Sequence, residues 1–138
     1  MRVTGTVEDY LKGMLALAPA EADAVRTSAL ADLLGVTAAA ATLMLKRLAG
    51  AGLVDHARYR GAQLTGRGRV EAVRVVRRHR VLETFLVREL GFTPDEVHAE
   101  AERLEHAASD GVVEAMARVL GAPELDPHGA PIPAFQAA

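Results

Sequence analysis

Leucines at 30, 33 and 34, and again at 43, 45 and 48, recur at helical spacing on either side of Gly35. This pattern predicts a short helix over Thr27–Leu34 ended by Gly35. A second helix is capped by Thr37 and stops near Gly50-Ala51-Gly52, with Leu43 counted among its apolar positions. Ahead of them, Thr6 reads as an N-cap with Asp9 in the capping-box position, and that helix runs to Leu17, short of Pro19. The period then changes. Leu53–Ala57 and Gly61–Thr65 read as two short strands, with Arg58, Tyr59 and Arg60 in the turn between them. A helix, a glycine turn, a second helix and a hairpin together predict a winged helix-turn-helix.

Val70, Val73, Val76 and Val81 carry a long helix from Gly66–Gly68 to about Leu90, closed by Gly91. Thr93-Pro94-Asp95-Glu96 combines an N-cap, a proline at the first helical position and a capping-box glutamate. The helix it opens is predicted to reach His106 or Ala107. Ser109-Asp110 caps a last helix that ends at Gly121. Four of the six prolines lie beyond residue 122, which predicts an extended or loose tail. The expected fold is mainly α: an N-terminal winged helix-turn-helix with a small β-hairpin wing over residues 1–72, followed by an all-helical domain over residues 73–138. The boundary falls inside a continuous helix.

Composition narrows the chemistry. Half the residues are apolar, but aromatics are only 4% and tryptophan is absent, so the core must be aliphatic. No cysteine is present, which excludes disulfides and thiolate metal sites; any metal must be held by His and carboxylates. No stretch reaches the ~18 apolar residues of a membrane span, and the N-terminus has no apolar signal core, so a cytoplasmic protein without a membrane partner is expected. The net charge of -2 hides an asymmetry. Residues 37–80 hold ten Lys/Arg and two Asp/Glu, whereas residues 81–138 hold three Lys/Arg and eleven Asp/Glu. The basic block suits a polyanion and the acidic one suits cations; two ordinary solvated faces would give the same totals.

His98, Glu102, Glu105 and His106 share one face of the predicted penultimate helix. His79 and Glu83 stand i, i+4 on the preceding long helix. Imidazole and carboxylate on two neighbouring helices can bind a first-row divalent ion, and a sulfur-free, carboxylate-rich set leans toward harder ions such as Mn²⁺. Exposed helices often carry His and Glu at this spacing without binding anything. Spacing alone therefore leaves a metal site and solvated faces as alternatives.

The segments Arg78-His79-Arg80-Val81-Leu82-Glu83 and Val97–His106 resemble the diphtheria toxin repressor family, which contains iron regulators and the manganese regulators of the MntR type. Val7–Leu11, Tyr59–Gly68 and Gly129–Pro133 extend the resemblance over essentially the whole chain. It implies a metal-dependent, homodimeric DNA-binding repressor of metal-uptake genes, not an enzyme, acting on a palindromic operator in double-stranded DNA. It also implies a first metal site at Asp9, Glu102, Glu105 and His106. The iron regulators have Met and Cys where this chain has Asp9 and Glu102, and losing both sulfurs moves the preference from Fe²⁺ toward Mn²⁺, with Fe²⁺ or another divalent transition metal as the alternative. A second site is implied at His79, Glu83 and His98. In the iron regulators it is completed from an SH3-like domain that lies beyond this chain. In the manganese regulators a first-helix Glu contributes, and here that position is Lys12.

On the recognition helix the resemblance matches Thr37, Ala38, Ala39, Ala40, Thr42, Lys46 and Arg47, with Arg58 and Arg60 in the wing. Threonine can bond phosphate or base edges, the basic residues suit phosphate, and the alanines offer only apolar contact. Where some members use Gln for base contact this chain has Leu43, for which a place in the core is the alternative. Leu86, Val112, Met116 and Val119 are expected at the dimer interface or in the core. Two rival readings are a winged-helix regulator not gated by metal, and a carboxylate-bridged dimetal enzyme. The second is disfavoured because such enzymes draw their ligands from a four-helix bundle.

Overall fold

A computed structural model describes residues 5–20, 23–57 and 61–135. Arg58 and Arg60 of the expected wing tip lie outside the described residues. The element order is α1 (Gly5–Leu17), α2 (Thr27–Leu34), α3 (Ala38–Gly50), β1 (Val54–Ala57), β2 (Gly61–Leu64), α4 (Gly66–Arg88), α5 (Val97–Glu105) and α6 (Asp110–Val119). The chain divides into two compact units, Met1–Val73 and Arg74–Ala138. No single helix among the described residues is long and apolar enough to cross a membrane.

The first unit is a helix-turn-helix with an antiparallel hairpin. Helices α2 and α3 turn through 109°, within the range such motifs adopt. Two local devices make that corner. Gly35 takes φ 67°, a conformation open to glycine, and ends α2. Thr37 then caps α3, its Oγ1 accepting from the amide of Ala40 at 3.1 Å. Strand β1 pairs with β2 from Val54↔Leu64 to Ala57↔Gly61. Val25 extends the sheet by one bridge, exchanging two backbone hydrogen bonds with Ala62.

The core of this unit is aliphatic: Val7, Leu11 and Met14 of α1, Leu30 and Ala31 of α2, Ala41, Leu45 and Leu48 of α3, and Leu53, Val54 and Ala62 of the hairpin. Thr65 joins hairpin to α4, its hydroxyl donating to Gly52 O (2.7 Å) while accepting from the Gly68 amide (3.0 Å). At Gly68 the backbones touch: a Cβ there would lie 1.9 Å from Leu53 O.

Two expectations change here. Thr6 lies inside α1, which begins at Gly5, so neither Thr6 nor Asp9 caps that helix. Leu43 is not core: it is 55% exposed, because α3 buries the face carrying Ala41, Leu45 and Leu48 and turns Leu43 away from it.

The second unit packs the C-terminal part of α4 with α5, α6 and the tail. Val81, Val113, Ala117 and Leu120 form one apolar cluster, with Ile132 of the tail against it. Leu82, Leu86, Val97 and Ala101 form another. Helix α5 starts three residues later than the expected start at Pro94. The Thr93–Glu96 capping bonds do form, Thr93 Oγ1 meeting the Glu96 carboxylate at 2.6 Å and the Glu96 amide at 3.3 Å. They close a tight turn, with Glu96 N bonded to Thr93 O, and the α-helix follows it. Ser109 caps α6 as expected, accepting from the amide of Val112.

The tail is ordered rather than loose. Leu125 bridges to Pro131, and Asp126 Oδ1 accepts from the amides of His128 (2.8 Å) and Ala130 (2.9 Å). The prolines leave these few amides to be satisfied, and Asp126 does so locally. Leu86 is buried in the core, whereas Val112 and Val119 are exposed and Met116 is partly buried.

Much of the basic block is spent inside the protein. Arg77 grips Glu114 through Nε (2.9 Å) and Nη2 (2.6 Å) and donates to Pro133 O (2.8 Å). Arg74 pairs with Asp110, Arg78 donates to Glu105 O, and Arg80 donates to Pro131 O. These four arginines of α4 hold α5, α6 and the tail together. The charge excess of residues 37–80 therefore overstates the basic surface offered to a polyanion.

Candidate metal centre

Helix α4 brings His79 and Glu83 onto one face, one turn apart, because i and i+4 coincide on a helix. Helix α5 brings His98 to them. His79 Nε2 lies against Glu83 Oε1 and 3.1 Å from His98 Nδ1, and His98 Nδ1 is 3.8 Å from the same Glu83 oxygen. The two rings meet edge-on, centroids 4.7 Å apart. His79, Glu83 and His98 can thus each point one ligand atom at a common centre.

The other ring nitrogen of His79 faces Glu105 Oε1 at 3.3 Å, and Glu105 is fully buried. A carboxylate there draws the imidazole proton to Nδ1 and leaves the Nε2 lone pair for the centre. Metal-binding histidines are oriented in this way.

A second group shares Glu83. Asp126 and His128 of the tail converge on it, and these three also place ligand atoms together. His128 Nε2 lies 3.0 Å from Pro94 O. A carbonyl oxygen only accepts, so that nitrogen carries the proton. A neutral His128 then turns a bare Nδ1 toward Glu83 Oε2, 3.2 Å away. Glu83 Oε2 is buried and has no partner in hydrogen-bonding geometry, although His128 Nδ1 is so close. The arrangement asks for a proton or a cation between them. Donor set and buried orphan oxygen both fit a divalent ion.

The remaining candidates are placed as follows. Glu102 is half exposed on α5, its Oε1 3.1 Å from His98 Nε2, outside both groups of the second unit. His106 is the C-cap residue of α5. Asp9 lies on α1 in the first unit. Sequence reasoning missed Asp126 and His128. The available signal was an Asp-Pro-His-Gly run in a chain with only five histidines, but no helical period pointed to it.

On the first unit Thr37, Ala38, Ala39, Lys46 and Arg47 are exposed and Thr42 is half-buried. Ala39, Leu43, Lys46 and Arg47 recur at steps of four, three and one, forming the outward face of α3.

Comparison with known proteins accounts for both units. The iron dependent repressor N-terminal DNA-binding domain matches residues 2–62, and the iron dependent repressor metal-binding and dimerisation domain matches residues 65–134. The iron-dependent repressor IdeR of Mycobacterium leprae is 44% identical over 82 residues, 59% of this chain and 36% of that protein. The HTH-type regulator MntR of Lysinibacillus sphaericus is 30% identical over 124 residues, covering 90% of this chain and 88% of its own length. A manganese-dependent transcriptional repressor solved in complex with manganese superposes with a TM-score of 0.84 at 49% identity, over 92% of this chain and 58% of that one. The chain thus spans little more than a third of the IdeR protein and under two thirds of the solved repressor. With both of its domains matched in order, the chain belongs to the iron dependent repressor family of metal-dependent transcriptional regulators.

Proposed function

We propose that this chain is a manganese-activated transcriptional repressor of the cytoplasm, acting as a homodimer on a palindromic operator that controls metal-ion uptake. Residues 1–72 form its DNA-binding domain and residues 73–138 its metal-binding and dimerisation domain. One observation carries the metal reading: His79 Nε2, His98 Nδ1 and a buried Glu83 carboxylate converge with no cationic side chain among them. That set would hold a divalent ion, with Asp126 and His128 extending it through the second oxygen of Glu83. Glu105 serves there by orienting His79. Asp9, Glu102, Glu105 and His106 are proposed as the first-site ligands on the family resemblance.

Manganese rests on the donor atoms. Every candidate ligand is an imidazole nitrogen or a carboxylate oxygen, and the chain has no cysteine, which disfavours the softer ions. When bound, the ion supplies charge compensation to carboxylates that otherwise repel. The residues of α4 and α5 do the rest by orienting the rings of His79 and His98. The DNA contacts proposed on the family resemblance are Thr37, which caps α3, Ala38, Ala39, Thr42, Lys46 and Arg47 of α3, and Arg58 and Arg60.

The experiment is a duplex-DNA binding titration of the full chain with Mn²⁺, anaerobic Fe²⁺, Zn²⁺ and chelator, counting bound metal in parallel. Metal should tighten specific binding by about 5- to 150-fold, the usual range of such coupling. Equal affinity with Mn²⁺ and with chelator would sink the metal switch; a stronger response to Fe²⁺ would sink manganese alone.

A further inference from the structure

Each histidine of the metal centre has two ring nitrogens, and only one of each faces the centre. His79 turns Nε2 inward and His98 turns Nδ1 inward, 3.1 Å apart. Behind His79, at its Nδ1, stands the buried Glu105 carboxylate. Behind His98 stands a second carboxylate of the same helix, Glu102 Oε1, 3.1 Å from Nε2. His98 and Glu102 are one turn apart on α5, so the helix itself sets this pairing. The two rings differ in how else they are held. The His79 side chain is only 8% exposed and is fixed by its surroundings, whereas that of His98 is 61% exposed. Packing does little to stop such a ring from turning about its side-chain bonds.

We propose that Glu102 is a positioning residue of the centre formed by His79, Glu83 and His98, holding the His98 ring so that Nδ1 is presented to the ion. This rests on the metal reading proposed above and deepens it, giving Glu102 a role beyond that of first-site ligand with Asp9. Glu102 is not one of the three groups that converge there, so it acts through His98. A carboxylate oxygen only accepts hydrogen bonds. It therefore draws the proton of a neutral His98 to Nε2 and leaves Nδ1 to donate its electron pair. The other tautomer would put a proton where the ion binds and turn two acceptors, Nε2 and Glu102 Oε1, toward each other. A ring turned outward would take its ligand atom away and leave His79 and Glu83 alone. Helix α5 thus places one carboxylate behind each imidazole of the centre, Glu105 in the interior and Glu102 at the surface.

The test uses the full chain carrying Asp9→Ala, which removes a ligand proposed for the first site and leaves the second unit unaltered. Mn²⁺ affinity is read from the EPR signal of the unbound ion, and pulsed EPR counts the imidazole nitrogens on the bound one. Adding Glu102→Ala should weaken Mn²⁺ about ten-fold, the low end of the 10- to 100-fold range for such partners because water competes at a half-exposed bond. The count of coupled imidazole nitrogens should fall by one. Glu102→Gln keeps a side-chain oxygen that can accept from His98 Nε2 but loses the charge of a carboxylate ligand. It should restore the nitrogen count and most of the affinity. The proposal is overturned if Glu102→Ala changes neither reading, or if Glu102→Gln is as impaired as Glu102→Ala, which would make Glu102 a ligand there. Either result leaves the metal centre standing. If the Asp9→Ala chain binds no Mn²⁺ through imidazole nitrogen, the centre itself falls and the proposal with it. Glu102 is half exposed, so both variants should keep the thermal transition of the parent.

Discussion

The two units are held together by opposite means. The first buries an aliphatic core, and Glu8 is its one buried ionisable side chain among the described residues, apart from the Tyr10 phenol. The second buries His79, Glu83, Glu105 and Asp126 beside its apolar clusters, and ties its helices with arginines from α4. Burial of aliphatic side chains is indifferent to ions, whereas buried carboxylates cost stability unless something positive meets them. The contrast implies that ions act chiefly on the buried carboxylates of the second unit, while the aliphatic core of the first carries its own stability.

The largest effect expected is in the first unit. Leu45→Ala removes a fully buried side chain of α3 and should cost about 2–5 kcal/mol. Hydrogen exchange with and without Mn²⁺ checks the contrast: the loss should be the same in both. A deficit that Mn²⁺ repairs around Leu45 would show that the aliphatic core itself is coupled to the ion.

Glu83→Gln sharpens the other side. It keeps the shape of a residue shared by both ligand groups and removes its charge, so Mn²⁺ binding should weaken by about 10- to 100-fold or more. Without metal the variant should be at least as stable as the parent, because a buried anion near Glu105 is gone. Calorimetry separates the outcomes. A drop in metal-free stability would mean that Glu83 is a structural ion-pair partner of His79 and His128.

His128→Gln should weaken Mn²⁺ binding less, on the order of ten-fold, since His79, Glu83 and His98 remain. Unchanged affinity and stoichiometry would remove the tail from the site. Smallest of all, Thr37→Ala and Ser109→Ala each delete an N-cap, one per unit, and should each cost about 1 kcal/mol. Unequal losses in urea melts would show that a cap also carries tertiary load.

What was legible in the sequence was what is local. Gly35, Thr37 and Ser109 announce their helix ends because capping is decided within four residues. His79 and Glu83 were visible because i, i+4 is a geometric fact of a helix. What escaped depends on partners far along the chain. Nothing near Arg77 says that Glu114 and Pro133 O will claim it, so the basic block looked freer than it is. Asp126 and His128 sit in a proline-rich segment without a period, and only folding brings them to Glu83. Leu43 failed for a subtler reason: it follows the leucine pattern in composition but lies on the wrong side of α3 relative to Leu45 and Leu48.

The contact at Gly68 has a consequence for how this sequence can drift. Gly68 lies within a helix, where glycine is ordinarily the residue most readily improved to alanine. With Leu53 O where its β-carbon would stand, no replacement fits without parting α4 from the entry to β1. Gly66, two residues earlier in the same helix, has open space around it, and there alanine should add up to ~1 kcal/mol. A saturation library should therefore return a sharp veto at one glycine and a free gain at its neighbour, a distinction that helix propensity would assign the other way round.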